Sequence, residues 1–149
     1  GYWRDVGTLD QFIEANMDLV GPNPKLVLEN PGWPLVTYDE AHGKETMGAE
    51  HAINSILASG VTIEGPNSLE RCIVSYSVTI AGRCEISDSI IMGHNRIGRN
   101  VRIKRAVIDR GVSIPNGTWI GVFHEDDKAH GLTISPNGYT IVPRNYKFK

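Results

Sequence analysis

Residues 61–120 read VTIEGPNSLERCIVSYSVTIAGRCEISDSIIMGHNRIGRNVRIKRAVIDRGVSIPNGTWI, and their period decides the fold. Ile63, Ile80, Ile97 and Ile114 are 17 residues apart. So are Leu69, Ile86, Ile103 and Ile120, and so are Val74, Ile91 and Ile108. Two residues before these anchors stand small or apolar side chains: Val61, Val78 and Val112; Cys84, Val101 and Thr118; Cys72, Ser89 and Ala106. Side chains two apart point the same way on a strand. Each five- or six-residue unit is therefore a short strand with two inward residues and a turn, and three units close one triangular coil. An amphipathic helix would repeat near 3.6 residues, which this segment does not. About three and a half coils of a hexapeptide-repeat parallel β-helix follow.

Stacking sets residue i over residue i+17 at about 4.8 Å, the strand spacing. Glu85 then lies beneath Arg102, and Asp88 lies between Arg71 and Arg105. Opposite charges so placed help to fix register. Two faces carry mostly polar outward columns: Thr62, Thr79, Arg96 and Ser113 on one, Ser68, Glu85, Arg102 and Trp119 on the other. The third carries Ile73, Ile90 and Val107. An apolar column on one face predicts a buried contact surface, covered by residues 8–20 or by another subunit.

The flanks read differently. Residues 8–20, TLDQFIEANMDLV, predict a helix with Thr8 as N-cap, Gln11 completing a capping box, and Leu9, Phe12, Ile13, Met17 and Val20 on one face. Four prolines in 21–34 mark an extended linker, and 39–50 is acidic and weakly patterned. His124–His130 reads as a polar loop, and 132–142 as a hairpin turning at Asn137-Gly138. The chain opens at Gly1 on a strand-like YWRDVG, which reads as the interior of a longer protein.

The 149 residues allow one domain or two small ones, and no apolar run approaches the roughly 18 residues of a membrane span. A net charge of −2 argues against nucleic acid and anionic lipid as partners. That charge is unevenly spread: residues 1–95 sum to −8 and residues 96–149 to +6. Arg96, Arg99, Arg102, Lys104, Arg105 and Arg110 face a single acid, Asp109, which suggests a local anion site. Two cysteines make no disulfide framework, and both fall at inward positions, so packing is their expected role. Histidines 42, 51, 94, 124 and 130 include only one within the coils, His94, and no zinc triad. An uninterrupted period from 61 to 120 leaves no extruded catalytic loop there of the acyltransferase kind.

The segments GYWRDVGTLDQFIEANMDLV, NPGWPL, HAINSILASGVTIEG, IKRAVIDRGVSIPNGTWIG, the EDD loop and GYTIVPR occur in that order. Together they resemble the ADP-glucose pyrophosphorylases, the glucose-1-phosphate adenylyltransferases, over essentially the whole chain. One departure is that Tyr38 runs directly into Asp39-Glu40, where the family carries a Pro-Pro-Ala-Lys-like loop. The resemblance implies a left-handed β-helix serving regulation and assembly into a homotetramer. A larger N-terminal domain would make ADP-glucose and pyrophosphate from ATP and glucose 1-phosphate, for glycogen or starch synthesis. Residues 1–20 would close that nucleotidyltransferase domain, 21–50 would be linker, and 51–149 the β-helix. The resemblance matches Asp5 to a carboxylate that helps bind Mg²⁺ on the nucleotide; the chain alone would hold no cofactor and no complete catalytic set. It matches Arg110 and Arg144 to positions that bind phosphorylated effectors, with Lys104 and Arg105 adding field. Bacterial cytoplasm or a plastid would be the location. Alternatives are the same region of a mannose-1-phosphate guanylyltransferase, or a hexapeptide-repeat acyltransferase. If the hairpin packs on the coil, Arg110 and Arg144 converge on one phosphate.

Overall fold

A computed structural model describes residues 6–18, 20, 35–37, 52–58 and 60–148. Helix α1 spans Val6–Met17 and is followed by β1 at Leu35–Thr37, β2 at Ala52–Ile53 and β3 at Ile56–Ala58. The coils run through β4 (Thr62–Ile63), β5 (Ser68–Val74), β6 (Thr79–Ile80), β7 (Glu85–Ile91), β8 (Arg96–Ile97) and β9 (Arg102–Lys104). They continue through β10 (Ala106–Ile108), β11 (Ser113–Ile114) and β12 (Trp119–Ile120). Then come α2 (His124–Ala129), β13 (Thr133–Ile134) and β14 (Thr140–Val142).

Parallel pairing follows the 17-residue period: Thr62 on Thr79 on Arg96 on Ser113, Ser68 on Glu85 on Arg102 on Trp119, and Ile73 on Ile90 on Val107. The protein is thus mainly β, a left-handed parallel β-helix of hexapeptide repeats. Its first rung lies nine residues before the quoted stretch, because Ala52 pairs with Leu69 and Ile56 with Ile73. Strand β1 pairs antiparallel with β3, so one strand falls inside the stretch read as linker.

The corners explain how so short a repeat closes. Asn54, Arg71, Asp88 and Arg105, each 17 apart, all adopt left-handed backbone with φ from 47° to 54°. Gly60, Ser77, His94 and Gly111 form a second such column. Most of these are not glycine, so each costs about 1–2 kcal/mol that ladder bonds and core burial must offset. Inside, Ile63, Leu69, Ile80, Ile86, Ile91, Ile97, Ile103 and Ile108 are essentially inaccessible. Polar residues that enter the core satisfy backbone N–H groups one rung on. Asn67 accepts from Cys84, Asn95 from Val112, Ser55 from Cys72 and Ser89 from Ala106, at 2.7–3.2 Å. Asn95 stands in the Val61, Val78 and Val112 column, where apolar spacing alone does not anticipate it.

The apolar outward stripe lies beneath α1. Leu9, Ile13, Met17 and Val20 cluster with Ile56, Ile90, Val107, Tyr139 and Ile141, with Ile73 at the edge. The helix of the same chain therefore occupies the stripe, and Ile90 and Val107 present no free surface to another subunit. Burying such aliphatics contributes about 1.5–3 kcal/mol each. Phe12, expected on that face, is 37% exposed. The helix begins at Val6, so Thr8 sits inside its first turn and is not the N-cap. Docking of the Leu9–Ile13–Met17 face, more than local capping, stabilises a helix this short.

Candidate functional site

After Ile120 the chain leaves the coil for residues 121–139 and then returns to it. Strand β14 lies parallel on β10, Ala106 beside Thr140 and Ile108 beside Val142, so the offset becomes 34 residues. Val142 accepts from Asp109 N–H and Arg110 accepts from Asn145 N–H, each at 2.9 Å. That register sets Arg144 one rung beyond Arg110 on the same corner, about 4.8 Å away along the coil axis. Both are exposed, and among the described residues neither guanidinium makes an ion pair or hydrogen bond. The Asp109 carboxylate is buried and accepts the N–H of Arg110 at 2.7 Å.

Three attachments hold the excursion that delivers Arg144. First, Asp127 in α2, 1% exposed, accepts the Gly121 N–H on both oxygens at 3.1 Å and the Thr140 hydroxyl at 2.8 Å. Helix α2 occupies the stretch read as a polar loop; its one buried residue is this carboxylate, so it shows no apolar period. Second, His124 Nε2 meets the Gly138 carbonyl at 3.1 Å, and the Tyr146 hydroxyl donates to the His130 carbonyl. Third, Asn137 at the hairpin tip is a junction. Its N–H donates to Asp10 Oδ2 at 3.0 Å, its side-chain amide to Glu14 Oε1 at 2.7 Å, and its carbonyl accepts from Arg105 Nη2 at 2.6 Å.

The hairpin expected at 132–142 is present, with β13 antiparallel to β14. Its connection is longer than a two-residue Asn-Gly turn. Ser135 N–H donates to the Tyr139 carbonyl, and Gly138 N–H donates back to Ser135 across Pro136 and Asn137.

The sequence-derived residues divide accordingly. Arg110 and Arg144 are brought together. Arg105 is spent on the hairpin: besides bonding Asn137, its guanidinium lies 4.4 Å above the Tyr139 ring. Lys104 is exposed at the same corner as Arg105, with the whole of β10 between it and Arg110. The ion pair at Asp88 forms with Arg71, at 2.9 Å. Arg102 pairs with Glu85 at 2.9 Å and lies 4.8 Å above the Trp119 ring. Asp5, matched to Mg²⁺ binding, lies outside the described residues. Sequence reasoning passed over Tyr76 and gave His94 no role; they stand on the Arg110 corner two rungs and one rung lower in the repeat, respectively. The 17-residue offsets 76–93–110 and 77–94–111 would have found them.

Burial pushes the Cys72 thiol up to about 12, and burial likewise raises Cys84, so both remain protonated packing groups. Burial also raises the Tyr139 phenol, against the lowering pull of Arg105. Among the described residues no group of three or more His, Cys, Asp or Glu could hold a metal ion. No described helix is long and apolar enough to cross a membrane.

Residues 40–142 match the family model described as GlmU-like, C-terminal hexapeptide. The glucose-1-phosphate adenylyltransferase of Deinococcus deserti is 38% identical, over 99% of this chain and 37% of its own length. That of Trichlorobacter lovleyi is 39% identical, over 97% of this chain and 36% of its own length. That of Cutibacterium acnes is 37% identical, over 95% and 35% respectively. The chain thus spans little more than a third of the curated relatives it matches.

Proposed function

The chain belongs to the GlmU-like C-terminal hexapeptide family, and from that premise we propose that it is the regulatory and assembly part of a glucose-1-phosphate adenylyltransferase. The whole enzyme would join ATP and glucose 1-phosphate to give ADP-glucose and pyrophosphate. Its catalytic domain would lie outside this chain, apart from the segment around α1. There Asp5 would supply one carboxylate to the Mg²⁺ on the nucleotide, and a second would come from the missing domain. Assembly into a tetramer and a place in the bacterial cytoplasm belong to the same proposal.

The observation that carries the regulatory reading is the Arg110–Arg144 pair: two exposed, uncommitted guanidinium groups on adjacent rungs of one corner. Guanidinium groups are permanently charged and can each grip a phosphate through two parallel N–H bonds. One phosphate between them forms charge-assisted bonds to both, whereas a single exposed arginine would gain about 0–1 kcal/mol. Neither residue lies in the segment assigned to the catalytic domain, so basal chemistry is expected not to depend on them. In the whole enzyme, Arg110→Ala or Arg144→Ala is expected to weaken the response to phosphorylated effectors while basal pyrophosphate release stays near its original rate. Full retention of that response in both variants would refute the reading. Pyrophosphate release from ATP and glucose 1-phosphate by this chain alone would refute the division of labour.

A further inference from the structure

The corner that carries Arg110 and Arg144 does not end at the arginines. The same column runs Tyr76, Gly93, Arg110, Arg144, and beside it stand Ser77, His94, Gly111 and Asn145. At Gly93 a Cβ would lie 3.1 Å from the Tyr76 carbonyl and 3.3–3.4 Å from two atoms of its ring. The Tyr76 ring therefore extends along the coil axis and covers Gly93, toward the rung of Arg110. It can do so because position 93 has no side chain. His94 fixes that ring from the side: the two rings meet edge-on at 5.3 Å and 88°, and His94 N–H donates to the Tyr76 carbonyl. His94 holds this place from left-handed backbone, φ 61°. Tyr76 is nonetheless 44% exposed. On the next corner position Asn145 turns its amide oxygen over Gly111, at a point where a Cβ would collide.

One corner thus presents an oriented, solvent-facing aromatic ring that reaches from the Tyr76 rung over Gly93, and then, on the two rungs beyond Gly93, two free guanidinium groups. We propose that this corner is a composite site for a phosphate monoester bearing a flat ring. Arg110 and Arg144 hold the phosphate, and Tyr76, oriented by His94, stacks on the ring. The proposal rests on the anion-site reading above and goes beyond it, by assigning ligand class to a residue that carries no charge. An inorganic phosphate would use only the arginines. A ring ester gains the aromatic contact as well, because stacking on an exposed aromatic face is tolerant of the ring's identity.

The test compares orthophosphate, methyl phosphate and phenyl phosphate binding to the full chain by calorimetry or ligand-detected NMR. Phenyl phosphate is expected to bind about tenfold more tightly than methyl phosphate. Tyr76→Ala is expected to collapse that ratio toward one while leaving methyl phosphate affinity unchanged, and Tyr76→Phe to preserve it. Arg110→Ala is expected to weaken all three ligands. A ratio near one in the unaltered chain, or one that survives Tyr76→Ala, would overturn the composite site while leaving the two-arginine site standing. Failure of all three ligands to bind, or binding untouched by Arg110→Ala, would overturn both.

Discussion

Gly121 is where the chain leaves the coil, and replacing it with alanine tests how the arginine pair is assembled. Its φ is +80°, and an added Cβ would lie 1.8 Å from the Lys104 carbonyl oxygen and 3.0 Å from its carbon. Both are backbone atoms of a paired strand, so neither can give. Residue 121 would have to withdraw by about an ångström, which breaks its N–H contacts of 3.1 Å to both Asp127 oxygens. Left-handed backbone costs alanine about 1–2 kcal/mol, and losing a hydrogen bond to a charged group costs about 1.5–3 kcal/mol. Gly121→Ala should therefore destabilise the chain by about 3–5 kcal/mol. Gly117 supplies the control: its φ is +76°, yet nothing lies within 4 Å of its would-be Cβ. Gly117→Ala should cost only the backbone share, about 1–2 kcal/mol. Urea unfolding of both variants, at equal m values, reads the difference. Equal losses would refute the claim that contact with Lys104 and the Asp127 anchor hold the excursion in place.

Ile90→Asp sets a carboxylate beneath α1, between Ile73 and Val107, and should lower stability by more than 3 kcal/mol in thermal unfolding. Arg105→Ala removes the Asn137 bond and the contact with Tyr139, so a loss of about 1–2 kcal/mol is expected. Phosphate affinity should stay within about twofold, because the Arg105 charge is already committed to the hairpin. Cys72 binds its proton more tightly folded than unfolded, since burial raises the thiol from 9.0 to about 12. Stability from this group is full below about pH 9 and is lost as pH rises toward about 12, by up to about 1.4 kcal/mol per pH unit. Cys72→Ala should flatten that alkaline slope, and native Cys72 should resist alkylation at pH 8.

The coil was legible because a core three side chains wide tolerates few exceptions to its period. Ile63 through Ile114 and Leu69 through Ile120 could be stacked on paper, as could the Glu85–Arg102 pair. The Ile73–Ile90–Val107 stripe was legible as a contact surface, and the structure supplies its cover in α1. Elements whose burial is polar escaped. Helix α2 turns a carboxylate inward, Asn95 interrupts a column of valines, and Asn95 and Ser55 each satisfy a backbone N–H on the next rung. The Arg105 commitment escaped because it depends on a contact 32 residues away, with the Asn137 carbonyl. Arg110 and Arg144 could be paired in advance only on the condition that the hairpin returned to the coil. The 34-residue offset of β14 on β10 meets that condition.

A double-mutant cycle on phosphate binding tests the shared arginine site most directly. Orthophosphate affinity is measured for the full chain, for Arg110→Ala, for Arg144→Ala and for the double variant, at low and high salt. If both guanidinium groups grip one phosphate, each single change should cost about tenfold or more in affinity at low salt, and less as salt rises. The double change should then cost less than the product of the single ones, because the site is already lost once either arginine is gone. Two independent effects that multiply, or affinity unchanged in either single variant, would contradict the account.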